Sequence, residues 1–350
     1  ENGGELPGGS EFVEAFLRHG ENEAINLLAE GTYSIQELLP KGWFLDSIDI
    51  TGGEGTTNLD TATATVDWTS HDNITVTYTN TEGAHITVQK HAEGGENVNF
   101  RFAASGTDNR GETFNTEFTL SDGEQNSIGE GGYIRPGTYT VEELETAGWF
   151  FDKVVSHGKG GTVTDQGATQ VVCVGPGGCI ELCYYNSEGA QIIVAKTAIG
   201  PAGGETNFEF TVSGETADPN FTLTGDDSIT LSSKAWDDYI RPGTYTINED
   251  PTNGWFFDSV AFEGTNSKVT NNNGTAQTLE VQPGGEAFLT YQNSQGSEIT
   301  VTKAAIGVNG SLTDFNFTAR GETSDGRFTL SGGESITLSS DGQPGFVRPG

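Results

Sequence analysis

A repeat with a period of 106–107 residues is the feature of this chain that most restricts its fold. Three stretches are near copies of one another: "GTYSIQELLPKGWFLD" (31–46), "GTYTVEELETAGWFFD" (137–152) and "GTYTINEDPTNGWFFD" (243–258). A unit of this length can bury a hydrophobic core of its own. It is longer than the roughly 20–50 residues of a solenoid unit, which needs its neighbours to cover its apolar face. The repeat therefore predicts a row of separately folded domains.

The phase of the repeat predicts where each domain begins and ends. Residues 85–190 and 191–297 are two complete units, residues 1–84 hold only the later part of a unit, and residues 298–350 hold only the earlier part. Two interpretations are open. Either the sequence is a window of a longer repeat protein, or the partial units of neighbouring chains complete each other, as in assemblies that donate a strand to another sheet. The two partial units overlap in phase, which favours the first interpretation.

Short strands, rather than helices, are predicted throughout the chain. Apolar and Thr/Ser residues alternate with period two in stretches such as "TNFEFTVSG" (206–214) and "DNITVTYTN" (72–80), which is typical of half-buried strands. Turn residues separate these stretches, for example "RPG" (135–137 and 241–243) and "NNNG" (271–274). About seven strands per unit, without a strong helical segment between them, predict an all-β fold made of β-sandwich domains.

The charge of the chain excludes some classes of partner. The 350 residues include 50 acidic and 16 basic residues, which gives a formal net charge of −34. Because the acidic residues are spread over every unit, they predict a solvated, self-repelling surface. Nucleic acid requires a positive footprint and is not an expected partner. No apolar run approaches the roughly 20 residues of a membrane-spanning helix, so no membrane span is expected in this segment.

Three types of polar residue recur on the predicted apolar faces of the strands. Alternate residues of a strand point to the same side, so Lys90 shares a face with the Ile and Val of "ITVQK". Glu143, at the end of "YTVEE", and Asn186, at the end of "LCYYN", are likewise in phase with apolar residues. The next unit repeats the set as Lys196, Glu249 and Asn293. The spacing is regular, with 53 residues from Lys to Glu in both units and 43 or 44 from Glu to Asn.

A buried amine, carboxyl and carboxamide side by side predict a specific reaction. Burial lowers the pKa of a lysine and raises that of a glutamate, which favours a neutral amine beside a protonated acid. The amine is then a nucleophile, the carboxamide is an electrophile with ammonia as the leaving group, and the acid can transfer the proton. The expected product is an intramolecular Lys–Asn isopeptide bond, formed once. The alternative is that these residues lie at wet strand ends and are simply solvated or hydrogen-bonded.

The order "ITVxK … GTYTVxE … YxN", with Gly-Trp after the Glu strand, resembles the Cna B-type, prealbumin-like (SpaA-type) domains of surface adhesins and pilins. This resemblance covers nearly the whole chain. It implies a tandem array of immunoglobulin-like or prealbumin-like β-sandwich domains, many of which carry an autocatalytic isopeptide bond. By this resemblance, Glu143 assists a bond between Lys90 and Asn186. The corresponding residues of the next unit are Lys196, Glu249 and Asn293.

The resemblance also assigns half-sites to the partial units, namely Glu37, Asn80 and Lys303. It implies an extracellular structural protein that forms a cell-surface stalk or filament, with no enzymatic turnover, no cofactor and no metal; a ligand-binding surface adhesin is the alternative. The expected partners are the chain itself, through a head-to-tail array or complementation of half-domains, and the cell envelope. If the cell glycosylates its surface, the candidate attachment sites are Asn73, Asn220, Asn273, Asn309 and Asn316.

The three cysteines all occur in one stretch, "CVGPGGCIELC". Cys173 and Cys179 flank "VGPGG", and a hairpin at that point would bring them opposite each other and allow a disulfide. Cys183 would then remain free or pair with another molecule. The spacing does not match that of a zinc site.

Overall fold

The protein is described from a computed structural model, which covers residues 4–5, 11–12, 14–25, 30–69, 72–95 and 97–350. Contacts group the chain into two compact units. The first unit comprises the residues up to Ala84 together with Ile134–Pro136, and the second comprises His85–Tyr133 together with Gly137–Gly350. The contacts do not separate residues 85–190 from residues 191–297, so the predicted domain limit at residue 190 stays a prediction.

The first unit is built from short antiparallel strands. They are β1 (Gly4–Glu5), β2 (Glu11–Phe12), β3 (Gly31–Gln36), β4 (Trp43–Thr51), β5 (Glu54–Asn58), β6 (Thr63–Trp68) and β7 (Thr75–Glu82). Strand β1 pairs with β2, β6 lies between β3 and β5, and β4 pairs with β7. A small core forms between β4 and the segment at the start of β6. Its buried members are Leu45, Ile48, Ala62 and Ala64.

Residues 85–190, here named the first complete repeat, contain seven strands. They are β8 (His85–Glu93), β9 (Phe100–Asp108), β10 (Thr113–Leu120), β11 (Gln125–Ser127), β12 (Gly137–Glu143), β13 (Trp149–Gln166) and β14 (Thr169–Glu188). They pair in the order β10-β9-β12-β14-β8-β11, and β13 pairs with β14 along its length.

Residues 191–297, here named the second complete repeat, follow the same plan. Their strands are β15 (Gln191–Ile199), β16 (Phe208–Ser213), β17 (Asn220–Leu223), β18 (Ser228–Thr230), β19 (Gly243–Glu249), β20 (Trp255–Asn273) and β21 (Ala276–Gln295), with a 3-10 turn at Gly203–Glu205. The order β17-β16-β19-β21-β15-β18, with β20 against β21, matches that of the first complete repeat.

The long strand β14 joins the two halves of the sheet, because its two ends pair with different strands. Its first part, Thr169 to Val174, pairs antiparallel with β12, and its later part, Cys179 to Ser187, pairs parallel with β8. The two halves of the strand therefore cover opposite sides of one core. That core is rich in aromatic and β-branched side chains, which pack well on pleated surfaces. Its fully buried members include Ile86, Val88, Phe100, Phe102, Tyr139, Val172, Leu182 and Tyr184.

Residues 298–350 form two short strand pairs. Their elements are β22 (Thr300–Thr302), a 3-10 turn at Gly310–Leu312, β23 (Phe315–Thr318), β24 (Arg327–Leu330) and β25 (Ser335–Thr337). Strand β22 pairs with β25, and β23 pairs with β24. Across the residues that the structure describes, the regular structure is strand apart from two 3-10 turns, which confirms the predicted all-β, sandwich fold class. Nor does any helix in that part of the chain have the length and apolar character needed to cross a bilayer.

The segment around the cysteines departs from the sequence prediction. The predicted hairpin at "VGPGG" is wrong: β13 and β14 turn at Gly167, and residues 175–178 form a bulge within β14. Cys173 lies opposite Thr162 and Cys179 opposite Lys159, so their Cα atoms are about 10 Å apart along the sheet. A disulfide needs a Cα separation below about 7 Å. Cys173 and Cys179 are accordingly free and exposed, and the predicted disulfide between them is not formed.

Candidate functional site

Strands β8, β12 and β14 bring Lys90, Glu143 and Asn186 to one place in the core. Lys90 is paired with Tyr184 in the parallel ladder, so Asn186 lies two residues further along the neighbouring strand, on the same face. Glu143 is the last residue of β12, which pairs with the first part of β14. The three predicted residues of the first complete repeat therefore meet where the first strand, the last strand and a central strand converge.

A single carboxylate oxygen contacts both nitrogen atoms of this site. Lys90 Nζ lies 3.2 Å from Glu143 Oε1, and Asn186 Nδ2 donates a hydrogen bond of 2.6 Å to the same oxygen. The three residues are 0%, 5% and 6% exposed in the order Lys90, Glu143, Asn186. The Lys90 amine also lies 4.2 Å from the centroid of the Phe100 ring. The structure thus favours a buried cluster over the alternative of solvated strand ends.

Burial changes the protonation of the cluster. Loss of solvent lowers the pKa of Lys90 to about 8, although the negative charge of Glu143 acts in the opposite direction. Loss of solvent also raises the pKa of Glu143, against the effects of the Lys90 charge and of the hydrogen bond from Asn186. Both shifts favour the uncharged forms, because removing a charge from water costs more than its partner returns. A neutral amine is therefore accessible near neutral pH.

Two buried oxygen atoms of the cluster are left over. Asn186 Oδ1 and Glu143 Oε2 accept no hydrogen bond from the described residues. Such groups are rare in folded proteins, since a buried polar atom without a partner loses its hydrogen bonds to water. Both oxygen atoms therefore remain available as acceptors within the cluster.

The second complete repeat reproduces the cluster. Lys196 Nζ lies 3.3 Å from Glu249 Oε1, and Asn293 Nδ2 donates to that oxygen at 2.5 Å. Burial lowers the pKa of Lys196 to about 8 and raises that of Glu249. Lys196 lies 4.3 Å from the centroid of the Phe208 ring, the counterpart of Phe100. Each predicted triad is therefore assembled by the fold.

The half-sites appear as partial versions of the same cluster. Within the first unit, Asn80 Nδ2 donates to Glu37 Oε1 at 2.6 Å, and both residues are half-buried. In the 298–350 segment, the half-buried Lys303 holds its Nζ 4.0 Å from the centroid of the Phe315 ring. The carboxamide–carboxylate contact and the amine–aromatic contact thus occur separately in these segments.

Sequence reasoning missed a tyrosine that positions the cluster. The Tyr184 hydroxyl donates to the Val141 carbonyl at 3.0 Å, and the Tyr291 hydroxyl donates to the Ile247 carbonyl at 3.0 Å. Each tyrosine precedes the site Asn by two residues, and each carbonyl precedes the site Glu by two residues, so the bond locks the last strand onto the Glu strand. The repeated "YxN" pattern, with a tyrosine two residues before each site Asn, is the signal in the sequence that could have indicated this role.

The remaining predicted positions differ in their exposure. The five candidate glycosylation residues, Asn73, Asn220, Asn273, Asn309 and Asn316, all have exposed side chains. Cys183 is buried and its Sγ lies 3.8 Å from Gln89 Oε1, and burial raises the pKa of its thiol. Low exposure and a raised pKa both make a thiol unreactive, so Cys183 is not in a position to pair with another molecule.

Comparisons with known proteins give only distant likenesses. No protein-family model and no curated protein matches the chain. Among solved structures, the chain is similar to a major pilin protein (T-13) of Streptococcus pyogenes, with 13% identity over 61% of this chain and 98% of the pilin and a TM-score of 0.26. It is also similar to the pilus adhesin SpaC of Lactobacillus rhamnosus GG, with 10% identity over 89% of this chain and a TM-score of 0.26, and it spans 48% of that adhesin.

A third similar structure is a bacterial adhesin from Mobiluncus mulieris that contains intramolecular disulfide, isopeptide and ester bond cross-links. The identity is 13% over 59% of this chain and 87% of the adhesin, with a TM-score of 0.26. None of the three TM-scores reaches 0.5, so these likenesses carry no conclusion about function. The chemistry of the site has to be argued from its own residues.

Proposed function

We propose that this is an extracellular structural protein that forms a cell-surface stalk or filament, and that its complete repeats are locked by intramolecular Lys–Asn isopeptide bonds. The observation that carries the proposal is the shared oxygen Glu143 Oε1, which touches the amine of Lys90 and the amide nitrogen of Asn186 in a site closed to solvent. The same geometry in the second complete repeat, around Glu249, makes a chance contact a poor explanation.

The proposed reaction balances with the groups present. Neutral Lys90 Nζ attacks Cγ of Asn186, the Nζ–Cγ bond forms, and the Cγ–Nδ2 bond breaks. Glu143 carries one proton from Nζ to Nδ2, and the former amide nitrogen leaves as ammonia. An amide is a poor electrophile in water, but fixed contact in a dry site can supply effective molarities of about 10⁵ M or more. The protein would perform this step once per repeat, without turnover.

The position of the bond suits a protein that bears load along its chain. Strand β8 opens the first complete repeat and β14 closes it, and the two lie side by side in parallel. Tension applied through the ends of the repeat shears these strands past each other. A covalent link between Lys90 and Asn186 would carry that tension and leave the intervening residues unloaded. By analogy with disulfides that close loops of about 100 residues, it would also stabilise the folded repeat by about 4–5 kcal/mol.

The surface of the chain supports a location outside the cell. Acidic residues exceed basic ones by 50 to 16, and such a charge keeps an extended, exposed protein soluble and resistant to association. All five candidate glycosylation residues are exposed and accessible to modification. Kinetic persistence in such a setting is the property that a covalent lock serves best.

Intact mass tests the proposal directly. We expect the purified chain to be lighter than its sequence mass by two ammonia molecules, one for each complete repeat. Lys90→Ala and Lys196→Ala should each restore one ammonia, and the double variant should restore both. The matched control is Lys153→Ala, which removes an exposed lysine and should leave both losses in place. A wild-type chain at its full sequence mass would overturn the proposal.

Polymerisation by completion of half-sites is a second candidate. The specific observation is the Asn80–Glu37 contact, which matches the acceptor half of a complete site. A lysine strand such as that of Lys303 from another chain would complete the first unit.

Gel analysis tests this second candidate. Concentrated chains should form ladders that survive boiling in detergent and reductant, and Lys303→Ala should abolish them, while Lys153→Ala should not. A chain that stays monomeric at every concentration would contradict the candidate, and it would leave the two intramolecular bonds as they are.

A further inference from the structure

Successive complete repeats are joined by a link of two residues, both of which are hydrogen-bonded. Only Gly189 and Ala190 lie between β14 and β15. The Gly189 N–H donates to the Gly148 carbonyl at 2.7 Å, and Ala190 exchanges two hydrogen bonds of 2.9 Å with Ile240. One residue of the link is therefore bonded to the preceding repeat and the other to the following repeat. The joint can therefore bend only at the backbone torsions between these two residues.

An arginine of the second complete repeat reaches back across this link. Arg241 Nη1 donates to Asp152 Oδ1 at 2.5 Å, and Arg241 Nη2 donates to the Phe151 carbonyl at 3.1 Å. Its guanidinium carbon lies 5.0 Å from the centroid of the Phe150 ring. Three consecutive residues of the preceding repeat thus offer a ring face, a carbonyl and a carboxylate to one side chain.

The aspartate of this contact is held in place from its own repeat. The Ser187 hydroxyl donates to Asp152 Oδ2 at 2.6 Å, which leaves Oδ1 for the arginine. The Ser294 hydroxyl does the same for Asp258 Oδ2 at 2.5 Å in the second complete repeat. The acceptor surface is therefore oriented by groups that do not belong to the arginine's repeat.

The junction between the second complete repeat and the 298–350 segment has the same design. Arg348 Nη2 donates to the Phe257 carbonyl at 2.7 Å, and Arg348 Nη1 lies 3.4 Å from Asp258 Oδ1. Its guanidinium carbon lies 5.3 Å from the centroid of the Phe256 ring. The link residues Gly296 and Ser297 are bonded in the same pattern as Gly189 and Ala190.

The first unit contains the set a third time. Arg135, which belongs to that unit, donates to Asp46 Oδ1 at 2.5 Å and to the Leu45 carbonyl at 2.7 Å, with its guanidinium carbon 4.9 Å from the Phe44 ring centroid. The Thr81 hydroxyl bonds the other oxygen of Asp46. In a chain with a net charge of −34, three of eight arginines occupy this one position of the repeat.

We propose that the segment Phe-Phe-Asp (150–152 and 256–258) is a docking surface whose partner is the Arg-Pro-Gly turn of the following repeat, and that this contact fixes the angle between successive repeats. It acts between repeats, whereas the isopeptide bond acts within them, so neither depends on the other. A joint fixed in this way resists bending, which a link between cross-linked but freely jointed domains does not.

The chemistry of the contact requires arginine. A guanidinium presents two N–H donors in a planar fork and can stack its face on a ring at the same time, whereas a lysine ammonium offers one compact charge. The contact is partly exposed, with 32% of the Arg241 side chain and 31% of the Asp152 side chain accessible, so it would be weak between separate molecules. The two-residue link makes it intramolecular, and the resulting high effective concentration keeps it closed.

Hydrogen exchange of the full-length chain tests the proposal. In Arg241→Ala we expect the Gly189 and Ala190 amides to exchange about tenfold faster, because Tyr239 of the second complete repeat lies against Gly189 only while the joint is closed. Residues 296–297 should stay protected. In Arg348→Ala we expect the reverse. Arg241→Lys should behave like Arg241→Ala. The matched control is Arg101→Ala, which removes an exposed arginine that pairs with the exposed Glu117 and should change neither link.

The outcome is read against two internal standards. Amides of β12 report whether the repeat itself remains folded, and the intact mass reports the isopeptide bonds, which should be the same in every variant. Unchanged exchange at residues 189–190 in Arg241→Ala would overturn the proposal. So would faster exchange at both links together, because it would show a general loosening rather than the opening of one joint.

Discussion

The cluster around Glu143 and the pair around Glu37 share one contact and differ in what covers it. In both, an asparagine donates to a glutamate at 2.6 Å. In the first complete repeat the glutamate is 5% exposed and a fully buried lysine lies beside it, whereas in the first unit the glutamate and asparagine are half-buried. The nearby tryptophan shows the same trend, since Trp149 is 7% exposed and Trp43 is 42% exposed.

The difference teaches that the Asn–Glu contact and the reactive environment have separate origins. The contact is made by the Glu strand and the last strand, which a tyrosine hydroxyl holds together in all three places: Tyr78 to Ile35, Tyr184 to Val141 and Tyr291 to Ile247. The dry environment comes from the first strand, which supplies the lysine and covers the last strand along nine paired residues. Proximity alone would therefore not lower the pKa of an amine or exclude water.

The largest expected effect comes from replacing Glu143 in the complete site, compared with replacing Glu37 in the half-site. Glu143→Gln keeps the shape of the side chain but removes the proton carrier, so the bond in the first complete repeat should not form. The mass deficit should fall from two ammonia molecules to one, and that repeat should lose about 4–5 kcal/mol of stability. Glu37→Gln should leave the deficit of the monomer at two. Intact mass and calorimetric unfolding of both variants measure this, and a full deficit in Glu143→Gln would contradict it.

A smaller effect should appear in the pH dependence of Asn186→Ala, which cannot form the bond and leaves Lys90 and Glu143 free to titrate. Between the unfolded glutamate pKa of about 4.3 and the raised pKa of Glu143, the folded state keeps a proton that the unfolded state loses. The free energy of unfolding should therefore fall as pH rises through that range. Above the Lys90 pKa of about 8, the unfolded lysine holds the extra proton up to about 10.4, so the free energy of unfolding should rise again.

The control for this pH profile is Asn80→Ala, which leaves both complete triads intact, so that the proposed bonds would acylate both lysines. Denaturant titrations at a series of pH values should show the rise above pH about 8 in Asn186→Ala and not in Asn80→Ala, because only the former has an unmodified Lys90 with a lowered pKa. Parallel profiles for the two variants would show that Lys90 does not titrate as a buried free amine.

The smallest expected effect concerns the tyrosine hydroxyl that bonds the last strand to the Glu strand. Tyr184→Phe leaves the Val141 carbonyl buried without its donor and should cost about 1–2 kcal/mol. Tyr78→Phe removes the equivalent bond at a half-buried position, where water can replace it, and should cost about 0.5 kcal/mol. Urea unfolding of each variant beside the wild-type chain measures both. Equal costs would mean that burial does not distinguish the two places.

Much of the complete site could be predicted from the sequence. Strand parity placed Lys90, Glu143 and Asn186 on apolar faces, and the constant spacing in the next unit indicated that they belong together. The structure brings all three into contact around one oxygen. Parity suffices here because the side-chain period of a strand is two, so burial of one face fixes the direction of every residue on it.

Other features could not be predicted because they depend on tertiary context. "VGPGG" has the composition of a turn, yet β13 supplies a partner on both sides of it, and the segment becomes a bulge in a 20-residue strand. The sequence "RPG" is typical of a turn, and no neighbouring residue indicates that Arg241 contacts Asp152, 89 positions earlier. The tyrosine hydroxyls likewise bond carbonyls more than 40 positions away.

The parallel pairing of β8 with β14 has a consequence for biosynthesis. Ile86 finds its neighbour Ile180 only after 94 further positions have been made, which takes about 5–20 s at the usual pace of a ribosome. Until then β8 lacks its partner and could pair with the wrong strand, because β21 of the next repeat closely resembles β14. Synthesis from the N-terminus favours the pairing of β8 with β14, since β14 leaves the ribosome long before β21 has been made. Each repeat can thus fold, and form its proposed bond, before the near-identical next repeat can exchange strands with it.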